Sequence, residues 1–282
     1  ISVKQSLRVP IAISIGQLIK IVSRGRLDSP VVLSHLPKLL TDLLTVLKQK
    51  DSDTRDVARG ALVRIMGTFG PAYLPFFLRE ARTILNRGYQ RHVLTFTAHA
   101  VLLEFLKRQR EDELNCPSLD ASADLLVDMA LASTFGFQAA ERSAIEWSGK
   151  QPEVRAAKGP EIIALTVQFT SQSVLENCIF RRIIQIASLD LTTAGDGVSN
   201  TRGTGATDEK SESLERIEGE SFDSVLRALF VNGLYPLIAK ERTDRLPLML
   251  AQMHGILERP TDAGSRSHMH RLHSRAFEFI SH

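Results

Sequence analysis

Arginine offers the most chemistry in this chain by type and spacing. Arg79, Arg82, Arg87 and Arg91 crowd the run FFLREARTILNRGYQRHV, with Tyr89 between them. Guanidinium forks suit phosphate oxygens, and a nearby aromatic ring can stack on an unpaired base. Lys107, Arg108 and Arg110 extend the following stretch, and Arg181, Arg182, Lys240, Arg242 and Arg245 add further clusters. Candidate nucleic-acid or partner contacts are therefore Arg79, Arg82, Arg87, Tyr89, Arg91, Lys107, Arg108, Arg181 and Arg182. The alternative for each cluster is an ordinary charged helix face in water.

Other reactive types are less promising. His268, His270, His273 and His282 gather near the end, and His270 and His273 at i, i+3 could share a helix face. With no Cys or carboxylate pair beside them, a polar fringe is the better reading, and no metal is expected. His92 and His99 fall within a helical stretch, where packing or hydrogen bonding is expected of them. Asp51, Asp53 and Asp56 have the look of a calcium loop, but Arg55 takes a ligand position and Asp56 the place of the required glycine. A helix-opening acidic turn explains them better, because carboxylates favour a helix N-terminus. The sequence contains no G-x-S-x-G, no phosphate-binding G-x-x-x-x-G-K-[ST], no G-x-G-x-x-G and no H-E-x-x-H. The expectation is a protein without catalytic residues, cofactor or small-molecule substrate.

The elements that carry these side chains read as helices. LPKLLTDLLTVLKQ begins at Leu36 and LPFFLREARTILNR at Leu74, an offset of 38 residues. Leu36, Leu39, Leu40, Leu43, Leu44 and Leu47 make one apolar stripe, and Leu74, Phe77, Leu78, Ala81, Ile84 and Leu85 make another. A second helical pattern follows each. DVARGALVRIMGTFG places Val57, Ala61 and Ile65 on one face beside Ala58 and Leu62, and HVLTFTAHAVLLEFL places Leu94, Ala98, Val101, Leu102 and Phe105 on one face. Gly67, Gly70 and Pro71 are expected to stop the first hairpin, and Gly88 to close a helix ending at Arg87. Helices are also expected over 9–23, 119–133, 160–169, 171–188 and 222–240, with Val174, Cys178, Ile179, Ile183 and Ile186 on one face and Gly233 and Pro236 breaking the last. Paired helices repeating about every 40 residues are the HEAT/armadillo signature. The first hairpin looks like a HEAT unit, with Asp51, Asp53 or Asp56 at its turn and Arg59 or Arg64 in its second helix. The fold class is all-α, an α-solenoid of HEAT-like hairpins whose stripes are buried by stacking.

Composition agrees. Of 282 residues, 43% are hydrophobic and 24% charged, the usage of a folded protein. Only Cys116 and Cys178 are present, so no disulfide framework can be built. The longest uncharged stretches, such as Ile65 to Leu78, are too short for a membrane span, which needs about 20 residues. From Thr192 to Glu220 the chain is rich in Gly, Ser, Thr and acids, and cannot offset its ordering entropy by burial. Between Asp196 and Glu220 it carries three bases and seven acids, net −4, while the whole chain is +3; the remainder is therefore +7. The expected organisation is a solenoid over 1–191, an acidic disordered insertion over 192–220 and further hairpins over 221–282. Limited proteolysis is expected to cut first between Thr192 and Glu220; early cuts within 36–106 would contradict the stacked-hairpin reading. Ile1 in place of Met suggests a piece of a longer protein.

The run YLPFFLREARTILNRGYQRHVLTFTAHAVLLEFL resembles the DRIM (down-regulated in metastasis) family, the very large HEAT-repeat protein of the small-subunit processome. That family carries a similar L-x-R-G-Y-Q-x-H-V-L-x-[YF]-T-x-H run, matched by Leu85, Arg87, Gly88, Tyr89, Gln90, His92, Val93, Leu94, Phe96, Thr97 and His99. VPIAISIGQLIKIV, TRDVARGALVRIMGTFGPAYL and DLLVDMALASTFG are also similar to it, so the resemblance covers about residues 5–190. It implies a nucleolar, non-catalytic scaffold acting with pre-rRNA, the U-three small nucleolar ribonucleoprotein and other processome proteins in small-subunit rRNA maturation. Other solenoids offer the competing readings, a karyopherin-type nuclear transport receptor or a regulatory HEAT scaffold of a larger complex. Karyopherins tend to be acidic, whereas the folded part here is basic.

Overall fold

The leucine stripes fold as helices with their apolar edges inward. A computed structural model describes residues 3–110, 118–135, 152–155, 157–193, 221–239, 246–259 and 268–281, which are helices and short connections with no strand among the described residues. Two units, Ile1–Ile162 and Ile163–His282, each have their own core.

In the first unit, α1 (Val3–Val22), α2 (Pro30–Val46), α3 (Ser52–Phe69), α4 (Leu74–Ile84), α5 (Gln90–Arg110) and α6 (Asp120–Phe135) alternate between two layers. α1 packs on α3 and α3 on α5, while α2 packs on α4 and α4 on α6. α2 with α3, and α4 with α5, are the two hairpins expected from the 38-residue offset. From the stripes, Leu36, Leu40, Leu43, Leu44, Leu47, Leu74, Phe77, Leu78, Ala81, Leu85, Leu94, Ala98, Val101, Leu102 and Phe105 are buried, and Leu39 and Ile84 half-buried. This continuous apolar seam is what a single hairpin could not make by itself.

Local chemistry sets the boundaries. Pro30 opens α2, where a missing N–H costs nothing. Asp51 caps α3, accepting from the Thr54 amide at 2.9 Å and its hydroxyl at 2.5 Å, which holds the Asp51 carboxyl below its ordinary pKa. Gly70 ends α3 at φ +81° and ψ 178°, a backbone region essentially reserved for glycine.

Three expectations are corrected here. Gly67 does not stop α3 but lies inside it, because a Cβ there would come within 2.7 Å of Arg108 Nε and 3.0 Å of Glu104. α4 ends at Ile84 rather than Arg87, and Gly88, at φ +46°, turns the chain into α5. Val57 is half exposed, since the buried arc of α3 is centred on Arg55, Ala58, Arg59, Leu62 and Met66.

The second unit contains most of α7 (Gly159–Phe169), α8 over 172–193, α9 over 221–239, α10 (Leu246–Leu257) and α11 (His268–Ser281). Phe230 is its hub, edge-on to Phe180 at 6.4 Å and to Phe279 at 5.9 Å. α8 and α9 each contain a π-helical segment, Leu175–Phe180 and Ala228–Leu234. Gly233 and Pro236 therefore do not break α9. Pro236 has no N–H for the Asn232 carbonyl, and the Gln168 side-chain amide donates to that oxygen instead, at 2.8 Å. In α8 the burial expected at Ile186 falls instead on Ala187, one turn past the buried Ile183. Residues 194–220, nearly all of the acidic segment, lie outside the described residues, as do Cys116, His282, Lys240, Arg242 and Arg245.

Candidate functional site

Charge in the first unit is arranged in two ways, one buried and one exposed. Arg55 and Arg59, one turn apart on α3, both point into the core. Arg55 grips Glu153 with a two-pronged fork, Nε donating to Oε1 and Nη2 to Oε2, each at 2.9 Å. Its remaining nitrogen, Nη1, donates to the Gln49 and Lys50 carbonyls just past the end of α2, at 3.0 and 2.8 Å. Arg59 Nη2 donates to Glu153 Oε1 at 2.6 Å, Nε donates to the Thr97 hydroxyl at 3.3 Å, and Nη1 pairs with Asp56. Aromatic rings close the cluster, Phe96 4.7 Å from the Arg59 guanidinium and Tyr89 5.9 Å from that of Arg55.

Glu153 comes from Pro152–Arg155, a single helical turn about a hundred residues further along the chain. Burial would push its carboxyl up, but the hydrogen bonds from Arg55 and Arg59 outweigh this and hold it at about 2. Such a group is ionised throughout the physiological range and is a very weak base. The cluster therefore clamps the α2–α3 turn, α5 and the Glu153 turn together.

His99 has a similar bracing part. It is buried and meets Glu161 Oε2 at 2.6 Å, while Lys158 holds the other oxygen at 2.7 Å. Burial lowers its pKa against the opposing pull of Glu161, so the imidazole is neutral at pH 7 and donates through Nε2. In the second unit, His268 packs against Phe222 with the rings tilted and their centroids 4.5 Å apart, while His270 is exposed. Among the described residues no three His, Cys, Asp or Glu side chains are grouped to hold a metal ion.

The exposed arginines lie on the α4–α5 hairpin. Arg79 and Arg82 project from α4, Arg87 from the turn and Arg91 from the start of α5, all exposed. Arg82 comes to 3.9 Å from Asp128 on α6, and Arg91 Nε donates to the Asn86 carbonyl at 2.9 Å. Tyr89 is half-buried, its ring beside Arg55 and its hydroxyl donating to the Lys48 carbonyl at 2.5 Å. Lys107 and Arg108 occupy the other end of α5, sixteen residues from Arg91, or about 24 Å of helix. Arg108 pairs there with Glu104 at 2.7 Å. Arg181 and Arg182, exposed and half-buried, belong to the second unit. Arg79, Arg82, Arg87 and Arg91 thus all lie exposed on the α4–α5 hairpin, and Lys107 and Arg108 lie at the far end of α5.

Sequence reasoning passed over Arg55 and Glu153. The available signal was a charged pair at i, i+4 on the apolar stripe that Ala58, Leu62 and Met66 continue. Nothing local pointed to Glu153.

Stacked helical hairpins held by a seam of buried apolar and ionic contacts define an all-α helical-repeat protein. The chain belongs to the U3 small nucleolar RNA-associated protein 20 domain family, whose model matches residues 2–192. It is 32% identical over 173 residues to "U3 small nucleolar RNA-associated protein 20" of Schizosaccharomyces pombe, 60% of this chain and 6% of that protein. To the protein of the same name in Saccharomyces cerevisiae it is 30% identical over 147 residues, 51% of this chain and 6% of the relative. The chain matches only a small part of either relative's length.

Proposed function

We propose that this chain is part of a non-catalytic scaffold in the small-subunit processome, working in the nucleolus in early rRNA maturation. The observation that carries this is family membership over residues 2–192, with relatives named for association with the U3 small nucleolar RNA. Its mechanism is geometric. Rigid stacked helices hold segments of pre-rRNA, small nucleolar ribonucleoprotein and assembly proteins in a fixed arrangement, without membrane or small-molecule substrate. Arginines on the α4–α5 hairpin supply phosphate contacts, which release counterions and so depend on salt. Both described charge constellations favour this over catalysis: Glu153 is locked in ion pairs, and His99 is used in bracing.

Sedimentation of the tagged full-length protein from nuclear extract tests the assignment. Co-migration with large particles that contain both pre-rRNA and the U-three RNA is expected; migration as free protein or with transport factors would overturn it. The surface has its own test. Arg79→Ala, Arg82→Ala, Arg87→Ala and Arg91→Ala together should weaken single-stranded RNA binding at least about tenfold and flatten its salt dependence, by about 0.7 in log–log slope per lost phosphate contact. Unchanged affinity and slope would make this turn ordinary solvated surface.

A further inference from the structure

The layer made by α1, α3 and α5 ends in a row of cations. Two contacts set the level of the three helices. Lys20 Nζ, near the end of α1, donates to the Thr68 carbonyl near the end of α3 at 2.8 Å. A Cβ at Gly67 of α3 would come within 2.7 Å of Arg108 Nε, near the end of α5. The last turns of the three helices therefore lie side by side. Arg24 just past α1, Arg64 on α3, and Lys107 and Arg110 on α5 are all exposed there. The side chains of Arg24, Arg64 and Arg110 make no ion pair or hydrogen bond among the described residues.

Arg24 stands where a side chain is costly. The Arg24 amide donates to the Ile21 carbonyl and the Gly25 amide to the Lys20 carbonyl, each at 3.0 Å. This is the Schellman ending, in which the first residue past the cap takes a left-handed backbone that glycine adopts most readily. Here that residue is Arg24, at φ +53°, the only non-glycine with positive φ among the described residues. Cations are favoured near helix C-termini, but that preference does not require arginine at the glycine position. An outlier the fold does not need points to a role outside the fold.

The surroundings indicate the partner. Ile21, 72% exposed, lies one turn before Arg24, and Leu103, 44% exposed, lies one turn before Lys107. The aromatic rings on these turns, Phe69 and Phe105, are buried, so no platform is offered for stacking bases. Aliphatic side chains interleaved with cations complement a protein segment that carries both carboxylates and aliphatic groups.

We propose that Arg24, Arg64, Lys107 and Arg110, with Ile21 and Leu103 beside them, dock an acidic, leucine-containing segment of a partner protein across the ends of α1, α3 and α5. Its carboxylates pair with the cations while its leucines cover Ile21 and Leu103. The surface lies at the opposite end of α5 from Arg91 and is independent of RNA binding on the α4–α5 hairpin.

Fluorescence anisotropy with the full chain tests it. The probe is a labelled peptide of about ten glutamates and leucines, which when extended crosses three helices packed about 8–10 Å apart. Arg24→Gly should bind it at least about threefold more weakly, yet its thermal unfolding midpoint should not fall, because glycine suits this backbone. Arg24→Gly, Arg64→Ala and Arg110→Ala together should weaken binding at least about tenfold, and a peptide with serine for leucine should bind several-fold more weakly to the unaltered chain. Undetectable binding of the probe, an unchanged affinity in the triple variant, or equal affinity for the serine peptide overturns the proposal. A lower midpoint for Arg24→Gly would mean that Arg24 serves the fold, and overturns it too. If the triple variant loses affinity for RNA while keeping the peptide, the surface belongs to nucleic acid and the proposal fails.

Discussion

Glu153→Ala is expected to destabilise the first unit by about 3–5 kcal/mol, a large part of the stability of any domain. The substitution leaves Arg55 and Arg59 charged, buried and without their shared carboxylate, and it is this stranded charge that costs so much. Denaturant unfolding of the chain should give a lower midpoint with little change in slope. Glu153→Gln, which keeps the shape and one acceptor oxygen, should fall between wild type and alanine. Replacing the cluster by Arg55→Met, Arg59→Leu and Glu153→Leu should recover part of the loss, since no unpaired charge remains. Recovery is incomplete because the Gln49 and Lys50 carbonyls lose their donor, Arg55 Nη1. A loss below about 1 kcal/mol for Glu153→Ala would mean that water reaches the arginines, as at a surface pair.

The same carboxylate gives stability a pH dependence. Its pKa is about 2 when folded, against an ordinary 4.5. Above pH 4.5 both the folded and the unfolded chain carry the charge, and its stabilisation is fully present. As pH falls below 4.5 the unfolded chain takes up the proton first, so stability declines until the folded carboxyl also titrates near 2. The total at stake is about 3 kcal/mol. Other carboxylates titrate in this window, so the measurable quantity is the difference between wild type and Glu153→Gln. That difference should shrink steadily from pH 5 to pH 2; a constant gap would place the stabilisation elsewhere.

What the sequence made legible follows from the range of each interaction. α2, α4 and α5 were readable because their burial repeats every three or four residues, and periodicity is a local property. α3 was turned too far toward Val57 because two of its inward residues are arginines, which a hydrophobic pattern assigns to water. Their reason for being inside, Glu153, is remote in sequence and its register cannot be read from spacing. In α9 the carbonyl that the proline leaves without a donor is satisfied by Gln168 from another helix, a contact remote in sequence. The resemblance run is instructive in the same way. Tyr89, Phe96 and Thr97 surround the buried arginines, and His99 braces α7, so much of that run is structural. Its outward residues Arg87 and Arg91, with Arg79 and Arg82, carry the proposed surface role.

A second large effect is expected at Gly159, the first residue of α7. A Cβ there would lie 2.3 Å from the Thr134 hydroxyl and 2.4 Å from the Ala130 carbonyl oxygen on α6. The Thr134 hydroxyl itself donates to that carbonyl at 2.8 Å, so neither atom is free to withdraw. Gly159→Ala must therefore push the first turn of α7, which belongs to the first unit, away from α6, at an expected cost of about 2–3 kcal/mol, the upper range for overpacking. Lys158 and Glu161 would move with the helix, loosening the contact from Glu161 to His99. Thr134→Ala in the same chain should rescue only part of the loss, because it removes the hydroxyl and leaves the backbone oxygen in place. Gly60 provides the contrast. It lies within α3, is exposed, and would have nothing within 4 Å of a Cβ. Gly60→Ala should stabilise the unit by about 0.5–1 kcal/mol, through higher helix propensity and a less flexible unfolded chain. One added methyl thus has opposite signs at two glycines, decided by what stands opposite each. If thermal unfolding moved the same way for both, the close approach of Gly159 to α6 would not be a fixed part of the first unit.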